Sequence, residues 1–423
     1  MIGFTENIVM SINDCHTIST DVIYFDFAKA FDSVNHDIIL YKLKYTFGID
    51  GRLLKFLKNY LCDREQCVLI DGIKSSTIPV HSGVPQGSII GPILFVLFIN
   101  DLPQGIDENS NIALYADDTK LWRTIKSDSD VSQLQKDIDY LNTWSIRNKI
   151  NFNLTKCKVL PIKSKSSPLE MLPFVAYHYY LAGNLLEYAD SEKDLGVIIN
   201  KSFNFNEHCN IILTKANQKY GLLKRTCHFV NDIKRRRVLY ITLARSQFNH
   251  CSTIWRPNNK TLLDKFENFQ KKCIKWILCE EELSYHSQHI YMSKCRQANI
   301  LPISYMFINN DLAMFHQIVY KLIPLSLPDY LTVYDGTSGL RKTHLDHFSF
   351  VSHIQHNSTG INNLNKSFFF RCHTLWNRLP LEIRKEENHE KFKTELESHF
   401  WNTILSNNDE SEEDGLSSSD DYD

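Results

Sequence analysis

The chain has 423 residues, 43% of them hydrophobic and 23% charged. That is ordinary globular usage; it excludes a wholly disordered chain and leaves room for two or three domains at roughly 100–200 residues each. The formal net charge is −2, but eight acidic and no basic residues lie between Asp409 and Asp423, so the body before them carries 47 basic against 41 acidic residues, a mildly basic balance that suits a nucleic-acid partner without requiring one.

Val22-Ile23-Tyr24-Phe25-Asp26 is β-branched and aromatic, the pattern of a buried strand ending at a carboxylate. Ile39, Leu40 and Leu43 predict a helix from about Asp37. Asp50 stands where an N-cap would, ahead of Leu53, Leu54, Leu57 and Leu61 on one helical stripe. Gln66 to Ile70, Asp71-Gly72 and Ile73 to Val80 read as a hairpin, because Asp-Gly accepts the φ > 0 positions of a tight turn. In Ser82-Gly83-Val84-Pro85-Gln86-Gly87-Ser88 two glycines let the backbone approach a ligand closely, and the apolar run behind them anchors the loop as a buried helix. A plain hairpin-to-helix turn is the alternative. Ile112 to Trp122 alternates around Asp117-Asp118, a second hairpin with acids at its tip.

Lys163 to Pro168 is a polar loop, and beyond Asn204 the periods lengthen. Ile212, Ala216, Tyr220 and Leu223 form one helical stripe; Leu262, Phe266, Phe269, Cys273 and Trp276 form a second. From about Asn407 the acidic, Ser-rich end has almost nothing to bury and is expected to be disordered. Eleven cysteines, odd in number and without a CxxC pair, point to reduced thiols in an intracellular protein. The start lacks a basic region followed by an apolar core, and the Ile89–Ile99 run falls short of the about 20 residues of a membrane span. The expectation is a soluble chain that enters no membrane.

Asp26, Asp117 and Asp118 each stand at the end of an apolar approach, where a carboxylate costs free energy unless paired or metal-bound. Two hairpin-borne acids meeting a third on a neighbouring strand would give hard oxygen ligands suited to Mg²⁺. Two such ions about 3.5–4 Å apart can activate a hydroxyl and stabilise a leaving phosphate oxygen, which is what nucleotidyl transfer requires. A solvated turn is the alternative for the acidic pair, and Asp32 could equally cap the segment after it.

Taken together, Phe25-Asp26-Phe27-Ala28-Lys29-Ala30-Phe31-Asp32 with Val34-Asn35-His36, then Ser82 to Ser88 running into Gly91-Pro92-Ile93-Leu94-Phe95, then Tyr115-Ala116-Asp117-Asp118-Thr119 resemble a reverse transcriptase of the LINE type. These are non-LTR retrotransposon enzymes, here closest to the jockey and chicken-repeat groups. The resemblance implies an α+β fold: a palm, an antiparallel sheet with packed helices and residual fingers, over 1–200; a mostly helical thumb over 201–280; a carboxy-terminal retrotransposon segment over 281–406; and the acidic tail over 407–423. It implies an RNA-directed DNA polymerase that extends a DNA primer on an RNA template from deoxynucleoside triphosphates, with two Mg²⁺ ions (Mn²⁺ as the substitute) and the element RNA in a ribonucleoprotein.

By the same resemblance Asp26 and Asp117 are the metal-bridging carboxylates, Asp118 the adjacent acid and the Phe27 carbonyl a further ligand. Phe31 is similar to the steric gate whose ring excludes a ribose 2′-OH. Pro85, Gln86 and Gly87, with Tyr115, resemble the surface that meets the substrate beside the templating pair. Lys156 resembles the lysine that protonates departing pyrophosphate, with a solvated lysine as the alternative. Leu195 and Gly196, in Asp194-Leu195-Gly196-Val197, resemble the primer-grip turn. His208 to Phe229 and His250 to Leu278 resemble thumb helices, and Lys234, Arg235, Arg236 and Arg237 fit phosphate contacts or a solvated basic face. Ser367 to Arg371 through Pro380 resembles the carboxy-terminal segment of these elements.

Two departures shape the expectation. Only 25 residues precede Asp26, where the family carries most of its fingers, and no endonuclease precedes the polymerase. The second reading is therefore a truncated, catalytically impaired remnant that still binds primer-template. Gln86, in its loop between the acidic motifs, argues against another metal-dependent palm such as a cyclase or nuclease.

Overall fold

Helix α1 (Ile2–Asn13) and strand β1 (Ser19–Phe25) open an α+β chain. The computed structural model describes residues 1–163, 177–280, 288–334, 346–353, 364 and 367–416. They fall into two units. One comprises Asp14–Glu192 and Asn200–Phe203; the other comprises Met1–Asn13, Lys193–Ile199 and the chain from Asn204 onward.

In the first unit, α2 (His36–Tyr45) starts at Asn35, whose side chain accepts from the Ile38 N–H at 3.1 Å, a side-chain cap on an orphan donor. Helix α3 (Gly51–Leu61) follows, and Asp50 stands at its N-cap position with no side-chain cap bond. Leu57 and Leu61 are buried, whereas Leu53 is exposed. Strands β2 (Arg64–Gln66), β3 (Leu69–Ile70), β4 (Ile73–Lys74) and β5 (Ile78–Val80) make the expected hairpin: Ile70 pairs with Ile73 around Asp71-Gly72, both at positive φ, and Gln66 pairs with Ile78 further down. Helix α4 (Ile90–Ile99) buries Leu94, Phe95, Phe98 and Ile99.

Strands β6 (Ser110–Tyr115) and β7 (Asp118–Ile125) form the acidic hairpin, and α5 (Asp128–Arg147) packs on β7. Strand β8 (Lys158–Ile162), the short pair β9 (Tyr180–Leu181) and β10 (Asn184–Leu185), and β11 (Glu187–Tyr188) complete the unit. Its main sheet runs β11-β8-β1-β7-β6, antiparallel except for β11 against β8. Side chains alternate across a strand, so Ile23 and Phe25 of β1, Leu121 and Ile125 of β7 and Val159 of β8 share one core with Leu94, Phe95 and Phe98 of α4 and Leu134, Ile138 and Leu141 of α5. Lys42 of α2 reaches Asp101 and the Phe98 carbonyl, each at 2.7 Å, and burial pushes its ammonium pKa down.

The other unit is mostly helical: α6 (Asn206–Thr226), α7 (Ile233–Leu239), α8 (Ser252–Trp255), α9 (Lys260–Leu278), α10 (Gln288–Gln297) and α11 (Ile303–Val319), then β12 (Leu331–Val333) paired with β13 (Phe350–Ser352), then α12 (Phe368–Asn377), α13 (Leu381–Lys385) and α14 (His389–Leu416). The α9 stripe is buried as its periodicity requires. Trp255, Phe266, Phe269, Phe248 and Phe307 pack there ring on ring. Helix α1 packs on α12, so the boundary at residue 200 does not contain the N-terminus: the first helix belongs with the carboxy-terminal segment. Helix α14 runs to Leu416, into the stretch expected to lack structure; Ser417 to Asp423 and residues 164–168 of the polar loop lie outside the described residues.

Candidate active site

Strand register sets the segments that carry the acids side by side. β1 and β7 are antiparallel and their ladder ends with Phe25 opposite Thr119, so Asp26 and Asp118 are the residues next to its last pair. Tyr115 pairs with Asp118 across β6 and β7, leaving Ala116-Asp117 as a two-residue turn with Ala116 at φ 53°. The tip is therefore Ala116-Asp117, and Asp118 begins the strand. Asp26 and Asp117 are half-buried; Asp118 and Tyr115 are exposed.

A loop from the end of α5 holds the Asp26 segment from the other side. The Asn153 N–H donates to the Asp26 carbonyl at 2.7 Å, Ala28 N–H to the Asn151 carbonyl at 2.8 Å, and Phe27 bridges Phe152. The Phe27 ring is buried and stacks on Phe152 at 4.6 Å. That loop also delivers Lys156, whose Nζ lies 3.2 Å from Asp26 Oδ2. Cys157 beside it is buried, which pushes its thiol up to about 11. The three acids are not drawn into one tight cluster: among the described residues, the three consecutive side chains Asp14, Cys15 and His16 are the set whose ligand atoms lie within 4.8 Å of one another. Asp14 is occupied by Lys126 at 2.6 Å.

Phe31 is half-buried and stacks on Phe95 of α4 at 4.6 Å. The Pro85-Gln86-Gly87 loop lies against the same segment. Gly83, at φ +91°, sits so close that a Cβ there would be 2.8 Å from Asp32 Cα. Its N–H donates to the Val34 carbonyl, Val84 N–H to the Phe31 carbonyl, and His36 Nε2 to the Gly83 carbonyl, each at 2.8 Å. Gln86 Nε2 donates to Asp32 Oδ1 at 2.8 Å. Asp32 and His36, 54 and 47 residues from their partners, carry no sequence signal for this role beyond their place in the Asp26 motif.

In the helical unit, Leu195 and Gly196 form a left-handed turn at φ 46° and 89°. His250 Nε2 donates to the Leu195 carbonyl at 2.9 Å, and the Ile198 N–H donates to His208 Nδ1 at 3.3 Å. The basic run 234–237 needs correction. Arg236 is buried, donates to the Val230 and Trp276 carbonyls and lies over the Trp276 ring, so it serves the helical core and not a phosphate. Arg237 donates to the Asn299 carbonyl at 3.0 Å, while Lys234 and Arg235 are exposed. Four basic residues in a row on a helix cover every direction around it, so one of them must face inward.

A helix-backed antiparallel sheet with acids at the adjoining ends of two strands is a palm-type fold. The reverse transcriptase (RNA-dependent DNA polymerase) family model matches residues 5–217, and the chain belongs to that family. It is 32% identical over 192 residues to the RNA-directed DNA polymerase from mobile element jockey of Drosophila melanogaster, covering 44% of this chain and 20% of that protein. It is 26% identical over 264 residues to the probable RNA-directed DNA polymerase from transposon BS of the same fly, covering 59% of this chain and 27% of the relative. The chain thus spans between a fifth and a third of the length of these relatives. Apo telomerase from Candida tropicalis matches at a TM-score of 0.39 and 10% identity, over 70% of this chain and 49% of that one. Among the described residues, no helix is long and apolar enough to cross a membrane.

Proposed function

We propose that this chain is an RNA-directed DNA polymerase of a non-LTR retrotransposon, extending a DNA primer on an RNA template inside the cell, bound to its element RNA. The observation that supports the reading is the β1–β7 register: Phe25 pairs with Thr119, Asp26 and Asp118 are the residues next to that last pair, and Asp117 lies in the turn before Asp118. Carboxylate oxygens are the donors that hard divalent cations take, so the set fits Mg²⁺, or Mn²⁺ in its place. Held by Asp26, Asp117, Asp118 and the Phe27 carbonyl, two such ions would supply charge stabilisation at the attacking and departing oxygens.

The remaining work belongs to the chain. The primer 3′ hydroxyl gives its proton to solvent as its oxygen bonds to the α-phosphorus and the bond from that phosphorus to the α–β bridging oxygen breaks, and Lys156, on the loop beside Asp26, gives a proton to the departing pyrophosphate. Phe31, held against Phe95, presents a ring edge that a ribose 2′-OH would strike; this selects by shape. Pro85, Gln86, Gly87 and Tyr115 flank the incoming nucleotide, Leu195 and Gly196 hold the primer end, and Lys234 and Arg235 meet backbone phosphates. The purified chain with Mg²⁺ and a primed RNA template is expected to incorporate deoxynucleotides, and Asp117→Asn to abolish incorporation. Synthesis that survives Asp117→Asn removes the assignment. Salt-sensitive primer-template binding without synthesis would instead leave a binding protein.

A further inference from the structure

We infer that Asp32 is a positioning residue that sets the direction of the Gln86 carboxamide at the edge of the active site. The inference rests on the polymerase reading and adds a residue to it. Asp32 lies on the segment that carries Asp26 and Phe31, and its carboxylate accepts from Gln86 Nε2 at 2.8 Å. A carboxylate only accepts hydrogen bonds. The amide nitrogen of Gln86 must therefore face Asp32, which in the polymerase reading leaves Oε1 and the second N–H to meet the incoming pair. Without Asp32 the carboxamide could present either end.

The rest of the loop is fixed by other bonds. Ser82 Oγ donates to the Asp32 carbonyl at 2.9 Å, Gly83 and Val84 are tied to Val34 and Phe31, and His36 holds the Gly83 carbonyl. All of these use Asp32's backbone or its neighbours and none uses its carboxylate. Asp32 and Gln86 are both exposed, so their bond contributes little to folding. What it decides is a side-chain orientation. Removing the carboxylate should leave the loop in place with an undirected Gln86.

The test compares wild type, Asp32→Ala and Asp32→Asn as the full chain in three measurements. These are single-nucleotide incorporation on a primed RNA template, the side-chain amide NMR signal of Gln86 (assigned by its loss in Gln86→Ala), and thermal unfolding. Asp32→Ala is expected to raise KM for the incoming deoxynucleotide about three- to tenfold with kcat little changed, the pattern of a lost contact made equally in ground and transition states. The Gln86 amide signal should move to that of a free carboxamide while the melting temperature holds. Asp32→Asn offers a donor as well as an acceptor, so it holds the carboxamide in place without choosing which end faces it and should restore only part of both effects. An unmoved Gln86 signal in Asp32→Ala, or a moved signal with KM unchanged, overturns the inference. If wild type makes no product, the polymerase reading fails separately; primer-template affinity then replaces KM, and equal affinity in wild type and Asp32→Ala overturns this inference as well.

Discussion

His208 shows how a single buried ring ties stability to pH. It sits at the start of α6 against Trp255, at a centroid distance of 5.3 Å, and its Nδ1 accepts from the Ile198 N–H, so it is held neutral. Burial, with Lys215 and His250 nearby, pulls its pKa from 6.5 down to about 4. An unfolded chain therefore takes up this proton first. The stabilisation is complete above pH 6.5 and is lost as pH falls from there toward about 4. Urea unfolding across that range should show wild type losing stability relative to His208→Gln on acidification; a difference between the two that stays constant with pH would refute the account. Residues of this kind were not legible. The places of Asp26 just past β1 and of Asp117 and Asp118 at the β6–β7 turn were, because each interrupts an apolar run. The roles of His208, Asp32 and Arg236 depend on partners 10, 54 and 40 residues away, which composition and periodicity do not record.

At the level of elements, turn chemistry was readable where it is local. Asp71-Gly72 announced its hairpin and its register, and Gly72, at φ +84°, has nothing within 4 Å of where a Cβ would stand. Gly83 needs its missing side chain for two reasons, its φ and the Asp32 backbone pressed against it. Gly72→Ala is thus expected to cost about 1 kcal/mol, and Gly83→Ala about 3 kcal/mol or more. Urea midpoints for the two variants check the ranking, and equal losses would show that the loop yields at Asp32. Helix α5 follows the same local rules. Asp130 accepts from the Ser127 N–H and hydroxyl at its start, and Leu134, Ile138 and Leu141 follow at helical spacing. The β11-β8-β1-β7-β6 order joins strands far apart in the chain, and no local pattern specifies it.

For the molecule as a whole, the helical unit is organised around charges buried together. Asp311 of α11 is fully buried, with Arg256 at 2.8 Å and Arg371 at 2.9 and 3.1 Å. Glu6 of α1 joins the same neighbourhood: both of its oxygens accept from Ser367 Oγ, at 2.9 and 2.8 Å, Tyr330 donates as well, and burial pushes its carboxyl pKa up. Asp311→Ala leaves two guanidinium groups without their counter-charge and is expected to cost about 3–5 kcal/mol, whereas replacing all three by packed apolar residues would cost far less. Denaturant unfolding of the single and triple variants checks this, and equal losses would contradict it.

Glu6 precedes Ser367 by 361 residues. On a ribosome adding roughly 5–20 residues each second, the first helix waits on the order of 20–70 seconds for the surface that shields it. The sheet unit is translated entirely within that interval, so it can close while the helical unit has only its opening piece and lacks the later helices.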